Sequence, residues 1–279
     1  MNNLGKLYVV GTPIGNLDDL TFRSLATLKK VALIAAEDTR HTGKLLQHFD
    51  IPTPQISYHE HNRLSRLDQL LNILSQGQDI ALVTDAGMPG ISDPGYELIK
   101  ACIEANIEVV PIPGVTAVIT ALAVSGLPTE RFCFEGFLPG KEKLRQERLE
   151  SLKNETRTMV FYEAPHKLIK TLEDLRETFG QTRKIVLGRE LTKLYEEIWR
   201  GTIAEAINLY LENKTPKGEF TLVVMGNDQA DTIQLSEEEL KRELKQIIER
   251  GVNRSQASRQ LAQVTNLSRS RLYKLALEI

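Results

Sequence analysis

Three stretches rich in glycine and proline carry residue types suited to holding a small polar ligand. They are Gly11-Thr-Pro-Ile-Gly15, Asp85-Ala-Gly-Met-Pro-Gly-Ile-Ser-Asp-Pro-Gly95 and Pro111-Ile-Pro-Gly-Val-Thr-Ala117. Each follows a β-rich run, and glycine at a strand end lets backbone amides approach a ligand closely. The first, alone, reads more readily as a plain turn than as a ligand cradle, and its spacing is neither a dinucleotide fingerprint nor a P-loop. The second packs three Gly, two Pro and two Asp into eleven residues. Such a loop exposes amides and carbonyls in a fixed geometry, which suits an amino acid's ammonium and carboxylate. Asp85, at the strand end, is expected to face the ligand. Asp93 either does the same or caps a helix whose first residue is Pro94. Thr116 is a helix cap, a ligand hydroxyl, or both.

Alternating strands and helices must position these loops. Residues 7–10, 31–36, 80–85 and 107–112 read as near-continuous apolar strands, with helices at 68–75 and 96–105 between them. That pattern predicts a buried, largely parallel sheet. A second set of strands is expected at 131–137, 158–163, 184–189, 196–200 and 219–225, with helices at 141–152, 165–178 and 202–212. The strands around 188–200 have no helix between them and predict an antiparallel pair, hence a mixed sheet. The fold expected is α/β: two α/β domains, 1–127 and 128–227, with a crevice for a ligand between them, then a linker and basic helical tail over 228–279. In the tail Ser236 and Glu239 fit a capping box, Asn253 starts a second helix and Ser268 a third. The turn around 264–267 resembles a helix-turn-helix; a helical cap on the main body is the alternative.

Composition excludes several classes. Of 279 residues 41% are hydrophobic and 26% charged, which argues against a disordered chain. Cys102 and Cys133 sit in apolar stretches, and no cysteine/histidine cluster has zinc spacing. No signal peptide and no stretch long enough to cross a membrane is visible, so no membrane partner and a cytoplasmic location are expected. The formal net charge of −2 conceals an asymmetry: residues 236–279 carry +3 and the rest −5. A basic helical face suits phosphate contact, and a solvated surface is the alternative. His59 and His61 lack a third ligand, which favours RNA contact over a metal.

Together the loops resemble the tetrapyrrole-methylase-like (class III) S-adenosylmethionine methyltransferases, with a glycine-rich turn after the first strand, a Gly-x-Pro loop after a middle strand and Pro-Gly-x-Thr-Ala after the next. Ala36-Glu-Asp-Thr-Arg40, Phe161-Tyr-Glu-Ala-Pro-His-Lys167, Arg189-Glu-Leu-Thr-Lys193 and Lys217-Gly-Glu219 follow in order. They make the chain similar to the members that act on small-subunit ribosomal RNA. Met88 and Gly90 depart from the pattern, where Thr and another small or apolar residue are common. The resemblance implies methyl transfer from S-adenosylmethionine to the ribose 2′-hydroxyl of a cytidine in the decoding region of 16S rRNA, free or within the 30S subunit, by a homodimer. It assigns the cofactor to Pro13, Asp85, Gly87, Met88, Pro89, Ile91, Ser92, Thr116, Ala117, Phe161, Leu191, Glu219 and Phe220. Its catalytic candidates are Glu37, Asp38, Arg40, Tyr162, Glu163, Glu190 and Lys193. Arg40 holds a phosphate or pairs with a neighbouring carboxylate, and Arg189-Glu190 is equally readable as a structural ion pair. Two other readings compete: a tetrapyrrole-type small-molecule methyltransferase, and a ligand-sensing regulator that binds nucleic acid through its tail.

Overall fold

The computed structural model describes residues 4–213, 215–227, 236–265 and 267–279. The first half runs β1 (Leu7–Val10), α1 (Phe22–Lys30), β2 (Leu33–Ala36), α2 (Thr39–His48), β3 (Gln55–Ser57), α3 (Arg63–Ser75), β4 (Ile80–Val83), α4 (Tyr96–Glu104), β5 (Val109–Ile112) and α5 (Ala117–Ser125). Its five strands form an all-parallel sheet in the order β3-β2-β4-β1-β5. All four residues of the central β4 are buried, so their alternation fills two layers. Ile80 and Leu82 pack on one face with Leu7, Leu70, Leu74 and Leu98. Ala81 and Val83 pack on the other with Val10, Leu28 and Ile34.

The second half runs β6 (Phe132–Phe137), α6 (Glu142–Leu152), β7 (Thr158–Glu163), α7 (Leu168–Phe179), β8 (Lys184–Arg189), β9 (Glu197–Thr202), α8 (Ile203–Asn208) and β10 (Phe220–Val224). The order is β6-β7-β10-β8-β9. The β6–β7 pair is parallel and the others antiparallel, so the sheet is mixed, as the short 188–200 connection requires. One face buries Met159, Phe161, Leu187 and Leu222 under α6, α7 and α8. The other packs Val160, Val186 and Val223 against Val118, Ala121 and Leu122 of α5. Both sheets belong to one compact unit, residues 1–153 with 157–225.

Residues 154–156 with 226–279 form a second unit. Its helices α9 (Glu237–Glu249), α10 (Arg254–Thr265) and α11 (Arg269–Leu277) enclose a small core of Leu240, Leu244, Ala257, Leu261 and Leu272. Ser236 and Glu239 form the reciprocal capping box, and Ser268 caps α11. Of the expected linker, residues 228–235 lie outside the described residues, as does Asn266 in the expected α10–α11 turn.

Asp93 is not a helix cap. α4 begins only at Tyr96, and its N-cap is Gly95 at φ 153°, a conformation glycine tolerates. Strand β3 was not expected; α3 starts five residues earlier than the apolar periodicity suggests.

Candidate active site

Ligands in open α/β sheets bind outside the carboxyl ends of the strands. Here three adjacent strands, β4, β1 and β5, end in the three glycine-rich loops. The first two loops are stitched together: Thr12 and Gly87 exchange N–H···O=C bonds of 3.0 and 3.1 Å, and Thr12 Oγ1 donates to the Thr84 carbonyl at 3.0 Å. The first and third meet glycine to glycine. A Cβ on Gly114 would lie 2.8 Å from the Gly11 Cα, closer than real Cβ atoms approach. Gly114→Ala is therefore expected to push apart the loops carrying Ile14 and Thr116, with a stability loss of about 1–3 kcal/mol. Gly140→Ala, where the space is open, is the control. Equal melting temperatures for the two variants would refute the close-contact reading.

The loops border a cavity of about 410 Å³. Of the expected cofactor residues, its wall contains Gly87, Met88, Ile91, Ser92, Thr116, Ala117, Leu191, Glu219 and Phe220. It also contains Tyr162 and Glu163 from the end of β7, and several residues not anticipated: Ile14, Phe137, Pro165 and Thr221 among them. The Pro165 position was readable from the Phe161–Lys167 motif; Phe137 and Thr221 carry no sequence signal beyond lying at strand ends or alternating within them. Thr116 Oγ1 caps α5 by accepting the Ile119 N–H. Phe161 is 1% exposed, in the core of the second sheet, and Pro89 is buried off the cavity wall. Pro13 and Asp85 line a separate cavity of about 260 Å³, with Thr12, Gly15, His41, Lys44 and Thr84.

The candidate catalytic groups divide by what already engages them. Asp38 caps α2 and grips the guanidinium of exposed Arg40, whose hydrogen bonds hold its carboxyl far below the usual range. Glu190 accepts from Lys193 Nζ and from the Glu219 N–H, both at 2.9 Å. Burial alone would raise its pKa, but those two donors outweigh it and lower it. Lys193 also reaches Glu219 at 2.8 Å, which ties the second-sheet loops into one ionic clamp. Arg189 pairs not with Glu190 but with Glu197 of the neighbouring strand β9, at 3.1 Å. Glu163 is buried and accepts from Thr171 Oγ1 and the Ala164 N–H. Thr171 in turn accepts from Arg145 at 2.6 Å, and Arg145 is ion-paired with Asp174, so β7, α6 and α7 share one buried polar network. Tyr162 stacks edge-on with Phe134 at 4.9 Å.

Two carboxyl groups remain less committed. Among the described residues Glu37 accepts only the Asp85 N–H, at 3.3 Å, and burial raises its pKa. Asp93 lines the large cavity and accepts no hydrogen bond among the described residues. Burial, then the nearby Glu37 and Asp85 carboxylates, push it up to about 7. Backbone strain gathers in the same place: Ser92, Glu190 and Thr192 are all left-handed, at φ 64°, 49° and 65°. Non-glycine residues accept this only where the surroundings enforce it. Among the described residues no group of three or more His, Cys, Asp or Glu is arranged to hold a metal.

Residues 6–207 match the family described as Tetrapyrrole (Corrin/Porphyrin) Methylases. A ribosomal RNA small subunit methyltransferase I from Synechocystis sp. is 59% identical over 276 residues, covering 99% of each chain. Another from Pasteurella multocida is 44% identical, covering 100% of this chain and 99% of its own. The chain belongs to the ribosomal RNA small subunit methyltransferase I family. The fold of this family is shared more widely. The methyltransferase CobJ superposes with a TM-score of 0.60 at 21% identity, covering 80% of this chain and 95% of its own. Uroporphyrin-III-C-methyltransferase from Thermus thermophilus does so with a TM-score of 0.56 at 22% identity, covering 78% and 94%. The large cavity fits the family's methyl donor chemically. Ile14, Met88, Ile91 and Leu191 supply apolar wall, and the Asp93 and Glu219 carboxyl groups suit a ligand carrying positive charge.

Proposed function

We propose that this chain is an S-adenosylmethionine-dependent methyltransferase acting on the ribose 2′-hydroxyl of a cytidine in 16S rRNA. What carries the reading is the gathering of nine of the thirteen resemblance-assigned cofactor residues on one cavity wall. Full-length similarity to the ribosomal RNA small subunit methyltransferases I of Synechocystis sp. and Pasteurella multocida supports the substrate. The donor supplies a methyl group already on a sulfonium, so the chain's residues must align the ribose oxygen and take its proton. Alignment alone is worth up to roughly 7–11 kcal/mol. Among the carboxyl groups, Asp93 is in the cavity and accepts no hydrogen bond among the described residues, with a pKa of about 7, as general-base catalysis favours. We assign it the proton, with Glu37 behind it. The Glu190–Lys193–Glu219 clamp then positions rather than reacts, and Glu163 and Asp38 hold local structure. Pro13, Asp85, Pro89 and Phe161 act on the cofactor through backbone or through the residues that line the wall.

The proposed partners are 16S rRNA, free or in the 30S subunit, and a second copy of the chain in a cytoplasmic homodimer. No helix among the described residues is long and apolar enough to cross a membrane. In the tail Arg250, Arg254, Arg259, Arg269, Arg271 and Lys274 are all exposed, which favours phosphate contact there. The proposed domain boundaries follow the two sheets, near 127 and 227. Ribose-methylation mapping of 16S rRNA from a strain lacking this protein tests the function. Loss of a single cytidine 2′-O-methyl group is expected; an unchanged pattern rejects it.

A further inference from the structure

We propose that the smaller cavity, beside the large one, is a subsite for a ribose-phosphate unit of the RNA strand flanking the methylated nucleoside. This rests on the reading of the chain as an rRNA methyltransferase. Four observations point the same way. The backbone of 12–15 and 84–88 is a wall common to both cavities, with Ile14 on the large one and Pro13 and Gly15 on the small one. A strand whose ribose is at the first is thereby led past the second. Thr84, 1% exposed, lines the small cavity, and its Oγ1 has no hydrogen-bond partner among the described residues. Leaving a buried hydroxyl unpaired is unfavourable, and a ligand oxygen relieves that.

The charges are also sorted. Lys44 and His41 stand exposed one turn apart on α2 and pair with no carboxylate among the described residues. Asp85 is the acidic group on the wall. Its Oδ1 accepts the Asp38 N–H at 3.1 Å, which leaves Oδ2 to accept from a sugar hydroxyl. The Lys44 cation and the His41 ring outside, with acceptors inside, match a nucleotide entering sugar first, with its phosphate at the rim. The volume, about 260 Å³, is below the usual range for a whole cofactor but ample for one sugar-phosphate.

The test uses full-length protein, 30S subunits lacking the modification, and calorimetry with S-adenosylmethionine. Lys44→Ala is expected to raise KM for the 30S subunit about 5–10-fold at 0.1 M salt, and to lower the slope of log KM against log salt by about 1. Its S-adenosylmethionine affinity should stay at the wild-type value. Thr84→Val keeps the shape and removes the orphan hydroxyl. It should raise KM several-fold with no loss of melting temperature. Wild-type KM and salt slope in both variants would overturn the subsite alone. Wild-type protein that fails to methylate either 30S subunits or free 16S rRNA would overturn the functional reading, and the subsite with it. Cytidine 5′-monophosphate separates the sources of the chemistry. Micromolar binding that Lys44→Glu abolishes would assign the cavity to a free nucleotide and overturn the RNA assignment, whereas millimolar or weaker binding supports a strand.

Discussion

Asp93→Asn should lower kcat/KM by about 10²–10⁴-fold, the usual yield of a positioned general base. The same change should make the protein more stable at neutral and alkaline pH. The Asp93 carboxyl titrates at about 7 in the fold, against 3.8 for an unperturbed aspartate. Below about pH 4 it is protonated whether folded or unfolded, so wild type and variant should be equally stable. Between pH 4 and 7 the unfolded chain ionises first, and the wild type loses stability progressively. Above pH 7 the loss is complete. Solvent at the cavity mouth screens the charge, so we expect the asparagine variant to lead by about 1–2 kcal/mol there. The wild-type kcat/KM profile should rise through about pH 7, and the variant's residual activity should lack that rise. Urea denaturation at pH 4 and 8, with single-turnover methylation across the range, checks both halves. A variant that is inactive but no more stable at pH 8 would remove the electrostatic basis of the assignment.

Arg145→Ala should cost about 3–5 kcal/mol of stability, because it strands a buried charge. Asp174 is fully buried and relies on Arg145 and, at 3.0 Å, on Lys170, which is half exposed. Removing the guanidinium also takes the donor from Thr171, and so loosens the grip on Glu163 at the cavity edge. Replacing both partners with apolar residues of similar volume, as in Arg145→Met with Asp174→Leu, should restore most of the stability. Urea unfolding distinguishes the outcomes. A single variant that loses less than about 1 kcal/mol, or a double variant no better than the single, would show that the pair is not the cause.

The strands were legible where burial is two-sided. Ile80–Val83 is apolar throughout and Phe220–Val224 apolar but for Thr221 because both faces are covered, and the apolar run itself marks them. β3 was not legible because three half-buried residues, Gln55–Ser57, on a sheet edge leave no periodic trace. The Gly-rich loops announced themselves through composition, and most of their expected contacts lie on the cavity wall. Asp93 stays ambiguous in sequence, since Asp-Pro fits a helix start as well as a ligand loop; the later beginning of α4 decides against the cap. Arg145 and Asp174 gave no warning. Charged residues on amphipathic helices normally face water, and their meeting depends on how α6 and α7 lie together. Thr84 and Lys44 are 40 residues apart in sequence, and only the β4 and α2 ends bring them to one cavity.

The wall of backbone between the two cavities has a thermodynamic consequence. It is held by the paired bonds between Thr12 and Gly87 and by the Thr12 hydroxyl on the Thr84 carbonyl, so any ligand that seats against one side biases the position of the other. Linkage then requires reciprocity: if methyl donor tightens RNA binding by some factor, RNA must tighten donor binding by the same factor. Lengthening of either Thr12–Gly87 bond would propagate both ways. Such an enzyme would bind its two substrates cooperatively and release the demethylated donor more readily once the modified strand had left.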